Sequence, residues 1–239
     1  MQLRESGVPG LDGQLSGGLV PGQSIIVLSA SGNAPFRFLE HFAAAGLQTG
    51  EMVYYYNLER PKPEVLARMD RLVPTEGPRS NLEYIDCYSV KLRDLDMATM
   101  ERIGVQNHAP KITDDLVRRV LDHPRDVPFR VVIESLSESI DAYGLDATLT
   151  MLKVLVGVVK MRGGLLAALL VKGIHDPQVE ARVSHIVDGV FEFGRERQGF
   201  GTYSFLNINK LRGIVDAERL LLYKETEHGL RLETTRRVF

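Results

Sequence analysis

One cysteine, Cys87, stands alone among 239 residues. No internal disulfide can form, and the chain reads as one that folds in a reducing compartment, the cytoplasm. Cys87 itself reads as a small buried hydrophobe near a strand end. Neither charge is in excess: 29 Lys and Arg stand against 31 Asp and Glu, a net charge of −2. That excludes the overall basic field by which a protein holds nucleic acid non-specifically. No basic stretch interleaved with aromatics is present either, so charge lends DNA binding no support. The longest apolar stretch, MLKVLVGVVKM, is interrupted by Lys153 and Lys160. It is too short and too charged to span a bilayer, which argues against a membrane partner. The opening MQLRESGVPG has no apolar core of the kind a signal peptide carries. The six histidines, at positions 41, 108, 123, 175, 185 and 228, show no metal-ligand spacing, and no metal site is expected. Internal repeats and low-complexity segments are missing as well.

What remains is ordinary in bulk: 44% hydrophobic and 25% charged residues, in a length suited to a single domain over 1–239. Five short apolar runs alternate with helical patterns. The runs QSIIVLS, EMVYYYNLE, LEYIDCY, FRVVIES and LLAALLV read as strands. Between them, a helix follows Pro35 and stops at Gly46 or Gly50, and a second opens at Pro61. Residues 90–108 are weakly helical. A helix over TDDLVRRVLDH takes Thr113 as its N-cap, and a long one over ATLTMLKVLVGVVKMR takes Asp146 as its cap and Gly163-Gly164 as its stop. Ser135, Ser137 and Ser139 read as turn formers, and Asp176-Pro177 starts a short helix to about His185. Beyond it the pattern changes to strands joined by short turns. Apolar strands linked by helices imply a mostly parallel central sheet flanked by helices, here with a C-terminal antiparallel extension.

The first strand and helix meet in a turn, SASGNAPF, from Ser29 to Phe36. A phosphate-binding loop occupies such a place, with glycines whose amides wrap phosphates, a lysine for the β/γ charge and a hydroxyl for magnesium. Aligned on that pattern, Ser29 takes the first glycine position and Ala34 the second. Pro35 replaces the lysine and Phe36 the hydroxyl, and Gly32 falls in a variable position. Pro35 also removes one amide while suiting the first turn of a helix. The loop therefore lacks charge, magnesium ligand and one donor.

The stretch SGVPGLDGQLSGGLVPGQSIIVLS resembles the start of the KaiC/RadA branch of the RecA-like ATPases. The likeness continues at VYYYNLERPKPEVLARMDRL and FRVVIESLSESI and ends at LNINKLRG, so it covers Ser6 to about Glu233. It implies a RecA-like P-loop NTPase fold that binds ATP with magnesium between neighbouring subunits. Glu59 matches the first acid of the family's glutamate pair, where a glutamate activates water, and Arg60 departs from the second. Glu134 falls where a magnesium-associated aspartate is expected. Lys210 and Arg212 match a pair that reaches the phosphates on the adjacent subunit. The polar residue expected at the end of the fifth strand is absent, with Val171 and Lys172 in its place.

From these matches and departures the expected function is that of a regulatory or structural subunit without catalysis, in a homo-oligomer or beside a KaiC-like relative. The vestigial catalytic candidates are Glu59 and Glu134. Two alternatives stay open: an ATPase with a non-standard phosphate site served by Lys172 or Arg37, and a DNA recombination mediator of the RadA-like type.

Overall fold

A computed structural model of the chain describes residues 2–30, 32–72, 79–88, 109–198, 201–213 and 219–233. The weak helical pattern at 90–108 lies outside them.

The elements run in the expected alternation. A single turn of helix, α1 (Leu11–Gln14), precedes β1 (Ser24–Ser29), α2 (Ala34–Gln48), β2 (Met52–Asn57), α3 (Lys62–Leu72) and β3 (Leu82–Asp86). There follow α4 (Ala109–Asp122), β4 (Phe129–Ile133), α5 (Leu136–Tyr143), α6 (Leu145–Arg162), β5 (Leu165–Val171) and α7 (Pro177–Ile186). Last among the described elements come β6 (Gly189–Gln198), β7 (Gly201–Leu211), β8 (Arg219–Thr226) and β9 (Gly229–Leu232).

Among the described residues the strands form one sheet of nine, in the order β3-β2-β4-β5-β1-β6-β7-β8-β9. Every pair from β3 to β6 is parallel, and β6 to β9 are antiparallel hairpins. β6 is thus the last parallel strand and the first of the extension. The apolar runs follow from this position: helices cover both faces, so β1, β4 and most of β5 are buried at every residue. Two apolar cores result, one on each face. Val27, Phe38 and Tyr55 belong to the first, and Ile26, Val131 and Leu152 to the second.

Helix α2 is enclosed on nearly all sides, with Glu40 and His41 buried along with its apolar residues. His41 explains how. Its Nε2 accepts the Leu230 N–H of β9 at 2.9 Å, and it shares a backbone hydrogen bond with Gly7. A Cβ on Gly229 would stand 2.2 Å from that Nε2, and one on Gly7 2.3 Å from the His41 carbonyl oxygen. Both glycines have positive φ, so their small size and their backbone freedom are both used. In β4, against the same helix, Arg130 is fully buried. It donates to both oxygens of Glu51, at 2.8 and 3.1 Å, and to the carbonyls of Glu5 and Phe42.

Several local expectations are corrected. The fourth helix begins at Ala109, which puts Thr113 inside it and not at its cap, because Pro110 suits a first helical turn. The N-cap of α6 is Gly144, with φ 85°, and Asp146 lies in the first turn, where its charge favours the helix dipole. Gly46 sits within α2, which ends at Gln48, just before Gly50. Ser135, Ser137 and Ser139 do not make a turn but build α5: Ser135 caps it by accepting the Glu138 N–H. Ser137 Oγ accepts the Val171 N–H, and the Ser139 hydroxyl donates back to the Ser135 carbonyl. No helix of the described residues is long and apolar enough to cross a membrane, and no group of three metal-ligating residues occurs among them.

Candidate functional site

The carboxyl ends of the parallel strands define the place where open α/β sheets bind ligands. Register brings the chemistry-bearing residues there. Ser29 of β1 lies opposite Val171 of β5, and Ile133 of β4 opposite Tyr56 of β2. The Ser29 turn, Glu134 and the segment after Asn57 therefore share one rim.

In the turn, Ser29 is buried and Gly32 adopts φ 100°. Ala34, Pro35 and Phe36 are the first three residues of α2, with Pro35 in its first turn as its fixed φ favours. The nearest cation to Gly32 is Arg195, whose Nη2 would lie 3.9 Å from a Cβ there and which pairs with Glu225 at 2.8 Å.

Behind the turn lies a buried ionic cluster built from three elements. Arg60, just past β2, donates through Nε to Oε1 of Glu134 and through Nη1 to Oε1 of Glu40 at 2.9 Å. Both carboxylates are fully shielded from solvent, and the Arg60 side chain is 12% exposed. The guanidinium lies over the Phe36 ring, 4.5 Å from its centroid, in cation–π geometry. Arg37 and Arg68 approach Glu40 at 3.6 and 3.8 Å. The backbone of Arg60 is fixed by Asn57, whose side chain donates to its carbonyl at 2.7 Å and accepts its N–H at 3.3 Å.

Burial pushes the Glu134 carboxyl up, Arg60 pulls it back, and the charges of Glu59 and Glu40 add to the rise, leaving it at about 7. Burial likewise raises Glu40 against the pull of Arg60, Arg37 and Arg68. Deleting Arg60 would take from Glu134 its ion pair and leave Glu40 with Arg37 and Arg68 alone, a loss on the order of 3–5 kcal/mol.

The structure therefore brings Phe36, Glu134 and the Glu59–Arg60 segment together. Glu59 is half-buried and acts on Glu134 through its charge. It separates Lys210 and Arg212 from them. Gly189, where β6 begins, pairs with both Ile25 and Leu211, so these two cations lie at the amino end of the parallel strands. Lys210 Nζ donates to the carbonyls of Val187, just past α7, and of Ser184 in its last turn, at 2.6 and 3.2 Å, and Arg212 pairs with Asp188 at 3.4 Å. Lys172 pairs with Glu192 and Arg37 with Glu40, so both substitutes for the missing lysine have acidic partners. Glu40 went unnoticed in the sequence. Its signal was partial: Arg37, Glu40 and His41 fall at i, i+3 and i+4, a narrow polar stripe on an otherwise apolar helix.

Sheet order, crossover helices and C-terminal hairpins define a KaiC-like RecA fold. The crystal structure of the KaiC-like protein PH0186 from the hyperthermophilic archaeon Pyrococcus horikoshii OT3 matches with a TM-score of 0.69 at 15% identity, over 97% of this chain and 99% of that one. At that identity the likeness is one of fold. The profile of a family of unknown function, DUF7125, matches residues 3–237, and the chain belongs to that family. No curated protein matches it.

Proposed function

We propose that this chain is a non-catalytic member of the KaiC-like group, a pseudo-ATPase that serves as a regulatory or structural subunit through contacts with its own copies or with a KaiC-like relative. The observation that carries this reading is the pairing of Arg60 with Glu134, which sets a fixed positive charge at the carboxylate where the fold family implies magnesium. The residues present do not fit a magnesium–nucleotide triphosphate. Pro35 and Phe36 offer neither cation nor hydroxyl, and the Phe36 ring covers Arg60. Lys172 and Arg37 would each have to leave a carboxylate to replace the missing lysine. Loss of a charged contact in a buried site costs roughly 2–5 kcal/mol, enough to remove most nucleotide affinity.

The contact part of the proposal draws on Lys210 and Arg212. They lie at the end of the sheet away from their own turn, as side chains serving a neighbour would, and such a charge would have to compete with their in-chain partners.

An ATP-hydrolysis assay of the protein beside Glu59→Gln tests the reading. Both should release phosphate no faster than buffer. Turnover by the wild type that disappears in Glu59→Gln would overturn it.

A further inference from the structure

Two departures from the family pattern, Phe36 and Arg60, are 24 positions apart in the chain yet touch in the fold. They belong to one feature. Glu40 and Glu134 come from α2 and the end of β4, are fully buried, and each present one oxygen to the same guanidinium. Two carboxylates brought together out of water repel each other and call for a cation between them. A guanidinium meets that need well, with planar donors on separate edges and a face that stacks on an aromatic ring. The loop is built to hold it there: Asn57 fixes the Arg60 backbone from both sides, and Pro61 follows at once. The second oxygens, Oε2 of Glu40 and of Glu134, are also buried and accept no hydrogen bond among the described residues, with Arg37 standing 3.6 Å from that of Glu40, so the pair retains acceptor capacity beyond what Arg60 uses.

We propose that Glu40 and Glu134 form a cation site that the chain fills from within, with the Arg60 guanidinium as its resident ligand and the Phe36 ring as one wall. The inference rests on the reading above that no magnesium–nucleotide occupies this rim, and it adds what stands there instead. Arg60 then acts as a permanent plug that ties α2, β2 and β4 together. Rebuilding the phosphate loop by Ala34→Gly, Pro35→Lys and Phe36→Thr leaves that plug in place.

The test supplies the missing ligand from solution. Arg60→Ala should lower the thermal midpoint, and low-millimolar guanidinium chloride should recover most of the loss in a saturable manner. Sodium chloride at equal ionic strength should not, and the wild type should show no saturable gain. In Arg60→Ala/Glu134→Gln, which has a single carboxylate, the guanidinium gain should be lost. If Arg60→Ala accumulates too little folded protein, refolding yield with and without guanidinium gives the same readout. A variant as stable as the wild type would overturn the proposal. So would a loss that guanidinium does not relieve, or a gain that persists in the double variant. No nucleotide enters these measurements, so they can fail while the non-catalytic reading stands, and succeed if ATP is found to bind elsewhere.

Discussion

At the residue scale, two buried groups titrate in opposite directions. Burial holds the His41 imidazole down at about 4 against 6.5, since its Nε2 must stay unprotonated to accept the Leu230 N–H. The folded state then binds fewer protons than the unfolded one, so this contribution is lost as pH falls from 6.5 towards 4. Burial raises Glu134 from 4.5 to about 7. Here the folded state binds more protons, and the contribution is lost as pH rises from 4.5 towards 7. Each shift corresponds to roughly 3–4 kcal/mol at ~1.4 kcal/mol per pH unit. In the shared window the two slopes largely cancel. Urea midpoints across that window should therefore separate on substitution. Relative to the wild type, His41→Gln should lose stability as pH rises, and Glu134→Gln should lose it as pH falls. Parallel profiles for all three proteins would contradict both assignments.

At the scale of elements, helix propensity and packing can be set against each other in two glycines. A Cβ added at Gly157 in α6 would meet open space, and one added at Gly46 in α2 would not. At Gly46 it would lie 2.8 Å from Cδ of Arg130 and 2.9 Å from its Nε. That side chain cannot swing away, because Glu51 and two carbonyls hold it. Propensity alone favours alanine at both sites by ~1 kcal/mol. Overpacking at Gly46 costs ~1–3 kcal/mol and disturbs a buried ion pair as well. Gly157→Ala should raise the denaturation midpoint and Gly46→Ala should lower it. A rise in both would show that Arg130 is not fixed.

The same scale shows what could be read in advance. The parallel strands were legible because cover on both faces leaves them predominantly apolar, with few exceptions such as Arg130, and Gly163 marked the end of α6 because φ 67° suits glycine. Helix α5 was hidden because serine favours turns and caps alike, and its role as a cap emerges only once Glu138 follows in helical geometry. Of the site, the altered turn and the Arg60 departure were visible as residues. Their contact was not. Arg60 is separated from Glu40 by 20 positions and from Glu134 by 74, and no local periodicity relates residues so far apart.

At the scale of the whole molecule, the fold is that of a KaiC-like protein, while the rim of the sheet carries a phenylalanine, a proline and an arginine held between acids. Architecture and site are thus set by different residues: buried apolar strands maintain the sheet, and a handful of polar positions decide what it binds. The most direct measurement is a calorimetric titration of the full chain with ATP in the presence of magnesium. The non-catalytic reading predicts no saturable heat at concentrations up to the millimolar range. A dissociation constant in the low micromolar range would contradict it.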